Sequence, residues 1–374
     1  MKRINKKNII IILALLFVIS IGLINKITND EEKLNTSVPG TISTEQKIKN
    51  IIYMIGDGMG ENHIIAGALY KGEKLNIQKI KNKTYVITSS IQEITDSAAA
   101  ATALATGYKT NNGVIGKDQY GNDLENLIEY ANKNMMRTGI VCTQILNHAT
   151  PAAFSVHNDY RYNYDEIARL QIESCVDLMF GGGRRYFSKY QTEMKKNNFA
   201  WINNFFETEN ISKDEKIIGT FAEEALSTEG ERISLEELTT EAIYRLENEN
   251  GFFLMVEGSD IDTYSHKKDI YRTLNEMIDF DNAVAVAKQY VDEHPDTLLI
   301  VTADHETGGL SLEGVDSVNE LNNSLFTSDG THTSANVLLF AYGAGARELT
   351  GYNLIDNTSI CKFVRQGILN NYKK

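Results

Sequence analysis

Carboxylates and histidines fall along this chain in patterns that suit metal ions. Glu257, Asp262 and His266 share the stretch Val256-Glu257-Gly258-Ser259-Asp260-Ile261-Asp262-Thr263-Tyr264-Ser265-His266. Asp304 and His305 stand side by side in Thr302-Ala303-Asp304-His305-Glu306-Thr307-Gly308-Gly309, and His332 lies between Thr331 and Thr333. Asp57 stands in Ile55-Gly56-Asp57-Gly58-Met59-Gly60, where an apolar run enters a loop. Asp262 and His266 are four apart, which puts both on one side of a helical turn. Any one of these acids alone reads equally well as a solvated loop residue. The set does not, because an Asp-His pair directly after a hydrophobic strand is hard to satisfy unless the charge is paired or metal-bound. Imidazole together with carboxylate favours zinc over calcium. Two such sites roughly 4 Å apart form a clamp on the attacking and leaving oxygens of a displacement.

Ser97 is the candidate nucleophile. It follows Asp96 and opens a run of small residues, Ala98-Ala99-Ala100-Ala101. Asp96-Ser97 also reads as an ordinary helix cap. Against that, the alanines leave space above the serine, and the free N–H groups of a helix start face an anion. No histidine is adjacent to Ser97 in sequence, so activating its hydroxyl falls to a metal. Arg161, in Asp159-Tyr160-Arg161-Tyr162, is either a surface residue or a bidentate fork for phosphate or sulfate oxygens. These parts point to metal-assisted hydrolysis with a serine nucleophile, and to a phosphate ester. His294 reads as a solvent-exposed linker residue, and His63 and His157 as structural, with ring nitrogens bonded to backbone. Gly181-Gly182-Gly183 lacks the GxxxxGK pattern of a nucleotide loop and reads as a tight turn.

The elements that must position these residues follow from periodicity. Ile51–Ile55, Tyr85–Ser89, Phe252–Val256, Thr297–Thr302 and Val337–Tyr342 are apolar runs of strand length. Ser97–Ala105, Asp123–Asn134, Leu235–Glu247, Asp269–Tyr290 and Asn357–Ile368 read as helices. Cys142 and Cys175 lie in or beside further apolar runs as buried thiols. Strands alternating with helices predict an α/β fold, a three-layer sandwich around a mainly parallel central sheet, with ligands gathered beyond the carboxyl ends of the strands. Residues 184–234 show no strong period and read as a peripheral insertion within a catalytic domain spanning 50–372.

The N-terminus reads separately. Lys2, Arg3, Lys6 and Lys7 precede sixteen apolar or small residues, Ile9–Ile24, without a charge. That is an export pattern, and residues 1–24 are expected either as a cleaved signal or as a retained transmembrane helix. Residues 25–49 read as a flexible tether. Removing 1–24 takes the formal charge from -13 to about -17 (-13 minus 4), which argues against non-specific nucleic-acid binding. Three cysteines are too few and too far apart for a disulfide framework. The expected location is extracytoplasmic, in the cell envelope or secreted.

Taken in order, Asp96-Ser97-Ala98-Ala99, Val256-Glu257-Gly258 through His266, and Thr302-Ala303-Asp304-His305 resemble the alkaline phosphatase family. The likeness runs from about Ile51 to the C-terminal helix, and implies a bacterial, exported or membrane-anchored member. It implies hydrolysis of small phosphomonoesters through transient phosphorylation of Ser97, with two Zn2+ and one Mg2+. Asp262, His266 and His332 look like the ligands of the first zinc. Asp57, Asp304 and His305 look like those of the second, with Asp57 bridging towards magnesium, whose other ligands Thr150 and Glu257 resemble. Arg161 looks like the residue that grips the transferred phosphoryl group. Two positions depart from many relatives. His148 stands where bacterial members often have aspartate, which leaves the third ion less fixed and makes His148 a neighbour of that site. Thr263 replaces a larger basic or aromatic residue, which opens the acceptor pocket. Short stretches at 184–234 and 311–330 imply a reduced crown, which leaves a homodimer open. The rivals are a phosphodiesterase or nucleotide pyrophosphatase, which needs a second pocket that the sequence does not identify, and an envelope metal- or phosphate-binding protein. A sulfatase is disfavoured because no Pro and Arg follow Ser97 in the required pattern.

Overall fold

The computed structural model describes residues 47–226 and 233–372. Its strands are β1 Asn50–Gly56, β2 Asn82–Ile87, β3 Arg137–Ile145, β4 Leu178–Gly182, β5 Phe199–Ile202, β6 Lys216–Thr220, β7 Phe252–Gly258, β8 Thr297–Thr302, β9 Glu306–Thr307, β10 His332–Thr333, β11 Val337–Gly343 and β12 Leu354–Asp356. Ten of them form one sheet in the order β12-β2-β11-β8-β1-β7-β3-β4-β6-β5. Within it β11 alone runs against its neighbours β2 and β8; the other pairings are parallel. β1, β7 and β8 are buried at every position, which is why they read as unbroken apolar runs without alternation.

The helices are α1 Glu61–Lys71, α2 Ser97–Thr106, α3 Leu127–Lys133, α4 Ala149–Ser155, α5 Tyr164–Glu173, α6 Leu235–Leu246, α7 Asp260–His266, α8 Ile270–Glu293 and α9 Asn357–Tyr372, with shorter turns between them. α6 and α8 pack on each other and on β3, β7 and β8; α2, α3, α4 and α9 form a second group against β3 and β7. The sheet between two helical groups is the sandwich expected from the alternation of elements. Tyr53 of β1, Phe154 of α4 and Phe253 of β7 meet across one interface, with ring centroids 5.7 to 6.4 Å apart.

Several local expectations need correction. The stretch 184–234, expected as a peripheral insertion, carries β5 and β6, which extend the main sheet by two parallel strands at one edge, with Trp201 hydrogen-bonded through its indole to Thr220. Its strands are four and five residues long, too short to announce themselves by periodicity. Gly181 and Gly182 belong to β4 and are not a turn; a Cβ on Gly182 would meet the Glu224 backbone. The helix expected from Asp123 begins only at Leu127, where Asn126 and Glu129 form a reciprocal cap. The expectation of a transmembrane helix is also corrected. Among the described residues no helix is long and apolar enough to cross a membrane. The segment Ile9–Ile24 itself lies outside the described residues, as does most of the 25–49 stretch.

Candidate active site

The parallel register carries the acids to one edge. Ile55 of β1 is level with Glu257 of β7 on one side and Thr302 of β8 on the other. Asp57 follows the end of β1, Glu257 lies near the end of β7, and Asp304 comes two residues after β8, so three carboxylates crowd one place. All three are fully buried. Gly58 must be glycine here: its φ is +72°, and a Cβ would sit 2.8 Å from Thr307 Oγ1.

Among the described residues three groups of candidate metal ligands result: Asp262–His266–His332, Asp57–Asp304–His305 and Asp57–His148–Glu257. In the first, His266 Nε2 lies 3.2 Å from Asp262 Oδ2, and His332 Nε2 lies 3.6 Å from Asp262 Oδ1. His266 Nδ1 donates to the Gly330 carbonyl, and His332 Nδ1 donates to the Thr95 carbonyl at 2.9 Å. With both Nδ1 atoms protonated, the two Nε2 lone pairs face each other at 3.2 Å, an arrangement that calls for a shared cation.

In the second group His305 Nε2 is 3.4 Å from Asp57 Oδ1 and 3.2 Å from Asp304 Oδ2. Its tautomer is set by Thr307. The single hydroxyl proton of Thr307 goes to Asp262 Oδ1, 2.5 Å away, so Thr307 Oγ1 accepts from His305 Nδ1 at 3.2 Å. The lone pair of Nε2 is thereby aimed at the two aspartates. Asp304 Oδ1 is used otherwise, accepting from the backbone N–H groups of Gly58 and His305.

Both carboxylate oxygens of Asp57 and of Glu257, Asp304 Oδ2, Thr150 Oγ1 and His148 Nδ1 are buried without a hydrogen-bond partner. Burial and the surrounding carboxylates push Asp57 well above the usual range. Burial chiefly pushes Glu257 up to about 8, and burial with Asp262 nearby pushes Asp304 up to about 7. Burial works against Asp262 too, but the imidazoles around it, His266 first, hold it low. Burial with Arg161 close by pulls His148 down to about 3, so its ring is neutral. Buried acids that raise one another, facing unpaired imidazole nitrogens, fit divalent cations and little else. The third group joins two carboxylates to the His148 imidazole, and the Thr150 hydroxyl lies beside Glu257.

Ser97 is the first residue of α2, but it does not cap the helix. Asp96 does, accepting from Ala99 N at 2.9 Å. Ser97 Oγ instead points to His305 Nε2, 3.3 Å away, so the serine without a histidine neighbour in sequence gains one in space. Arg161 is buried, not a surface residue. It donates to Asp96 Oδ2 at 3.0 Å and lies 3.3 Å from His148 Nε2. Ser97, Arg161, His148, Asp262, His266 and His332 line one cavity of about 520 Å³, together with Tyr162, Thr263 and Lys267.

The remaining histidines separate cleanly. His63 accepts from Gly60 N and contacts Ser265 Oγ, and His157 meets the Gly116 carbonyl and Glu129, so each spends one nitrogen on backbone. His294 is no exposed linker: it ends α8, stacks on Tyr290 at 4.0 Å and reaches Glu247. Sequence reasoning passed over Thr307, Asp96 as the anchor of Arg161, and Glu306. The Glu306 carboxylate accepts from Gly309 N, Leu310 N and Thr333 Oγ1, holding β9 and the strand that carries His332. None of these residues belongs to a ligand pattern, and only the Thr307 position, two after His305, offered a signal.

The model of the alkaline phosphatase family matches residues 48–325. The chain belongs to this family. Among its relatives is alkaline phosphatase 4 of Bacillus subtilis, 38% identical over 291 residues that cover 71% of this chain and 63% of that protein. Alkaline phosphatase 3 of the same organism is 34% identical over 75% of this chain and 67% of its own length. The chain thus spans roughly two thirds of these two alkaline phosphatases, 63% and 67%. The structure of the alkaline phosphatase from the Antarctic bacterium TAB5 superposes with a TM-score of 0.80 at 32% identity, covering 88% of this chain and 99% of that one. Variants of that enzyme with one histidine replaced by glutamate or by aspartate hold magnesium in the M3 site.

Proposed function

We propose that this chain hydrolyses phosphate monoesters to an alcohol and inorganic phosphate through a phosphoserine on Ser97. The observation that carries this reading is the placement of Ser97 Oγ, 3.3 Å from His305 Nε2, in one cavity with the Arg161 guanidinium. Bound zinc would supply Lewis acidity towards the attacking and leaving oxygens. Asp262, His266 and His332 would hold one zinc, and Asp57, Asp304 and His305 the other. We assign magnesium to the third group, held by Asp57, Thr150 and Glu257 with His148 beside them, because with the Thr150 hydroxyl it sets three oxygen-bearing side chains against one imidazole, where the second group has two.

Ser97 Oγ attacks phosphorus in line, and the alcohol leaves from the opposite side. Arg161, held by Asp96, turns its guanidinium edge to the equatorial oxygens and keeps the phosphoryl group in register. The N-terminal turn of α2 adds its positive end to the same charge. Water then attacks from the vacated side and frees Ser97. Two inversions give net retention at phosphorus, and placed positive charge is what phosphoryl transfer chiefly needs.

The basic N-terminus before Ile9–Ile24 supports an exported protein whose catalytic domain spans about 50–372. Turnover of an aryl phosphomonoester and of its diester, before and after chelation, tests the activity. The monoester is expected to react, the diester far more slowly, and the chelated protein not at all. Preference for the diester, or full activity in chelator, would overturn the reading.

A further inference from the structure

Four tyrosine rings form a connected chain beside the arginine of the candidate site. Tyr160 and Tyr162 flank Arg161 and meet edge to face at 5.2 Å; Tyr162 meets Tyr164 at 6.0 Å, and Tyr164 meets Tyr186 at 5.5 Å. Tyr162 lies under the Arg161 guanidinium at 5.4 Å and lines the same cavity as Ser97. Yet it is 55% exposed and Tyr160 is 52% exposed. An aromatic residue fixed by its neighbours but left bare beside a nucleophile is not filling a core. Thr263, with a short side chain, lines the same cavity.

We propose that Tyr162, buttressed by Tyr160 and Tyr164, is the surface on which the leaving group lies, and that phosphomonoesters whose alcohol bears a planar aromatic ring, such as a nucleobase, are the favoured substrates. This rests on the phosphomonoesterase reading above. Arg161 ties the two functions together, since the guanidinium that holds the phosphoryl oxygens also orients the Tyr162 ring. A ring stacked there gains contact that an open-chain or bare sugar alcohol lacks. Edge-to-face packing of the tyrosines keeps the surface rigid, so little side-chain freedom is lost on binding.

Adenosine 5′-monophosphate and ribose 5-phosphate test this, because both release phosphate from the same primary alcohol and differ by the base. The metal-loaded protein is expected to show kcat/KM about tenfold higher for the nucleotide. Tyr162→Ala should bring the ratio of the two close to one, with the loss appearing mainly in KM for the nucleotide, and Tyr162→Phe should keep the preference. A ratio near one in the unmutated protein, or a ratio that Tyr162→Ala leaves unchanged, would overturn the stacking surface while leaving the phosphomonoesterase reading intact. Failure of the unmutated protein to hydrolyse either compound would overturn both.

Discussion

At the scale of single residues, the candidate ligands are legible because each carries a chemical type that a strand end rarely tolerates unpaired. Asp304-His305 after six buried residues and Asp262 four before His266 declare themselves on that ground. Thr307 is fainter: its place two after His305 is a signal, but a threonine in a two-residue strand has many uses. Its importance comes from contacts 45 residues apart in sequence, with Asp262, and from His305 two residues away. Thr307→Val keeps the shape but strands the Nδ1 proton of His305 and an oxygen of Asp262, both buried. Zinc affinity, read by competition with a chromophoric chelator, is expected to fall by about 10- to 100-fold while the fold persists. Unchanged affinity would mean that the ligands hold their orientation without the hydroxyl. Arg161 shows the opposite failure of sequence reading. Nothing in Asp159-Tyr160-Arg161-Tyr162 signals burial, which comes from Asp96 and His148 reaching it from two other elements.

At the scale of elements, the alanine helix α2 joins stability to function through one carboxylate. Asp96 Oδ1 caps Ala99, while Oδ2 accepts from Gly113 N at 2.9 Å and from Arg161 Nη1 at 3.0 Å. The sequence offers Asp96-Ser97 as a cap and a nucleophile in competition; the structure gives the cap to the first and leaves the second free. Asp96→Ala is expected to cost about 1 kcal/mol of stability for the lost cap. It should also free the Arg161 guanidinium, so KM for a phosphomonoester rises more than unfolding accounts for. Chemical denaturation and steady-state kinetics on one preparation check the two effects. A variant destabilised to that extent with unaltered KM would separate the cap from the arginine. Strand boundaries were harder to read than helix content. β2 begins at Asn82, three residues before the apolar run at Tyr85, because pairing with β11 starts there and local composition does not decide it.

At the scale of the whole molecule, the α/β sandwich with a mainly parallel sheet was legible because fully buried parallel strands must be apolar throughout. The width of the sheet was not, since its outer strands β5, β6 and β12 are short and owe their place to long-range pairing. The cost of the design falls on the centre. Asp57, Glu257 and Asp304 are buried together, and burial first, with neighbouring carboxylates second, raises all three, an arrangement that bound cations relieve. Chelation is therefore expected to lower Tm, and readdition of zinc with magnesium to restore it, because ions bound to the native state stabilise it by mass action. A Tm indifferent to chelator would mean that the three ligand groups hold no ion.

The central claim is a covalent bond to one oxygen, and trapping tests it most directly. Metal-loaded protein turning over a labelled phosphomonoester should be quenched in acid and its phosphopeptide sequenced. Label is expected on Ser97, and Ser97→Ala should carry none and lose several orders of magnitude in rate while still binding both zincs. Label on another residue, or a Ser97→Ala variant of undiminished rate, would contradict the account and leave direct attack by water as the mechanism.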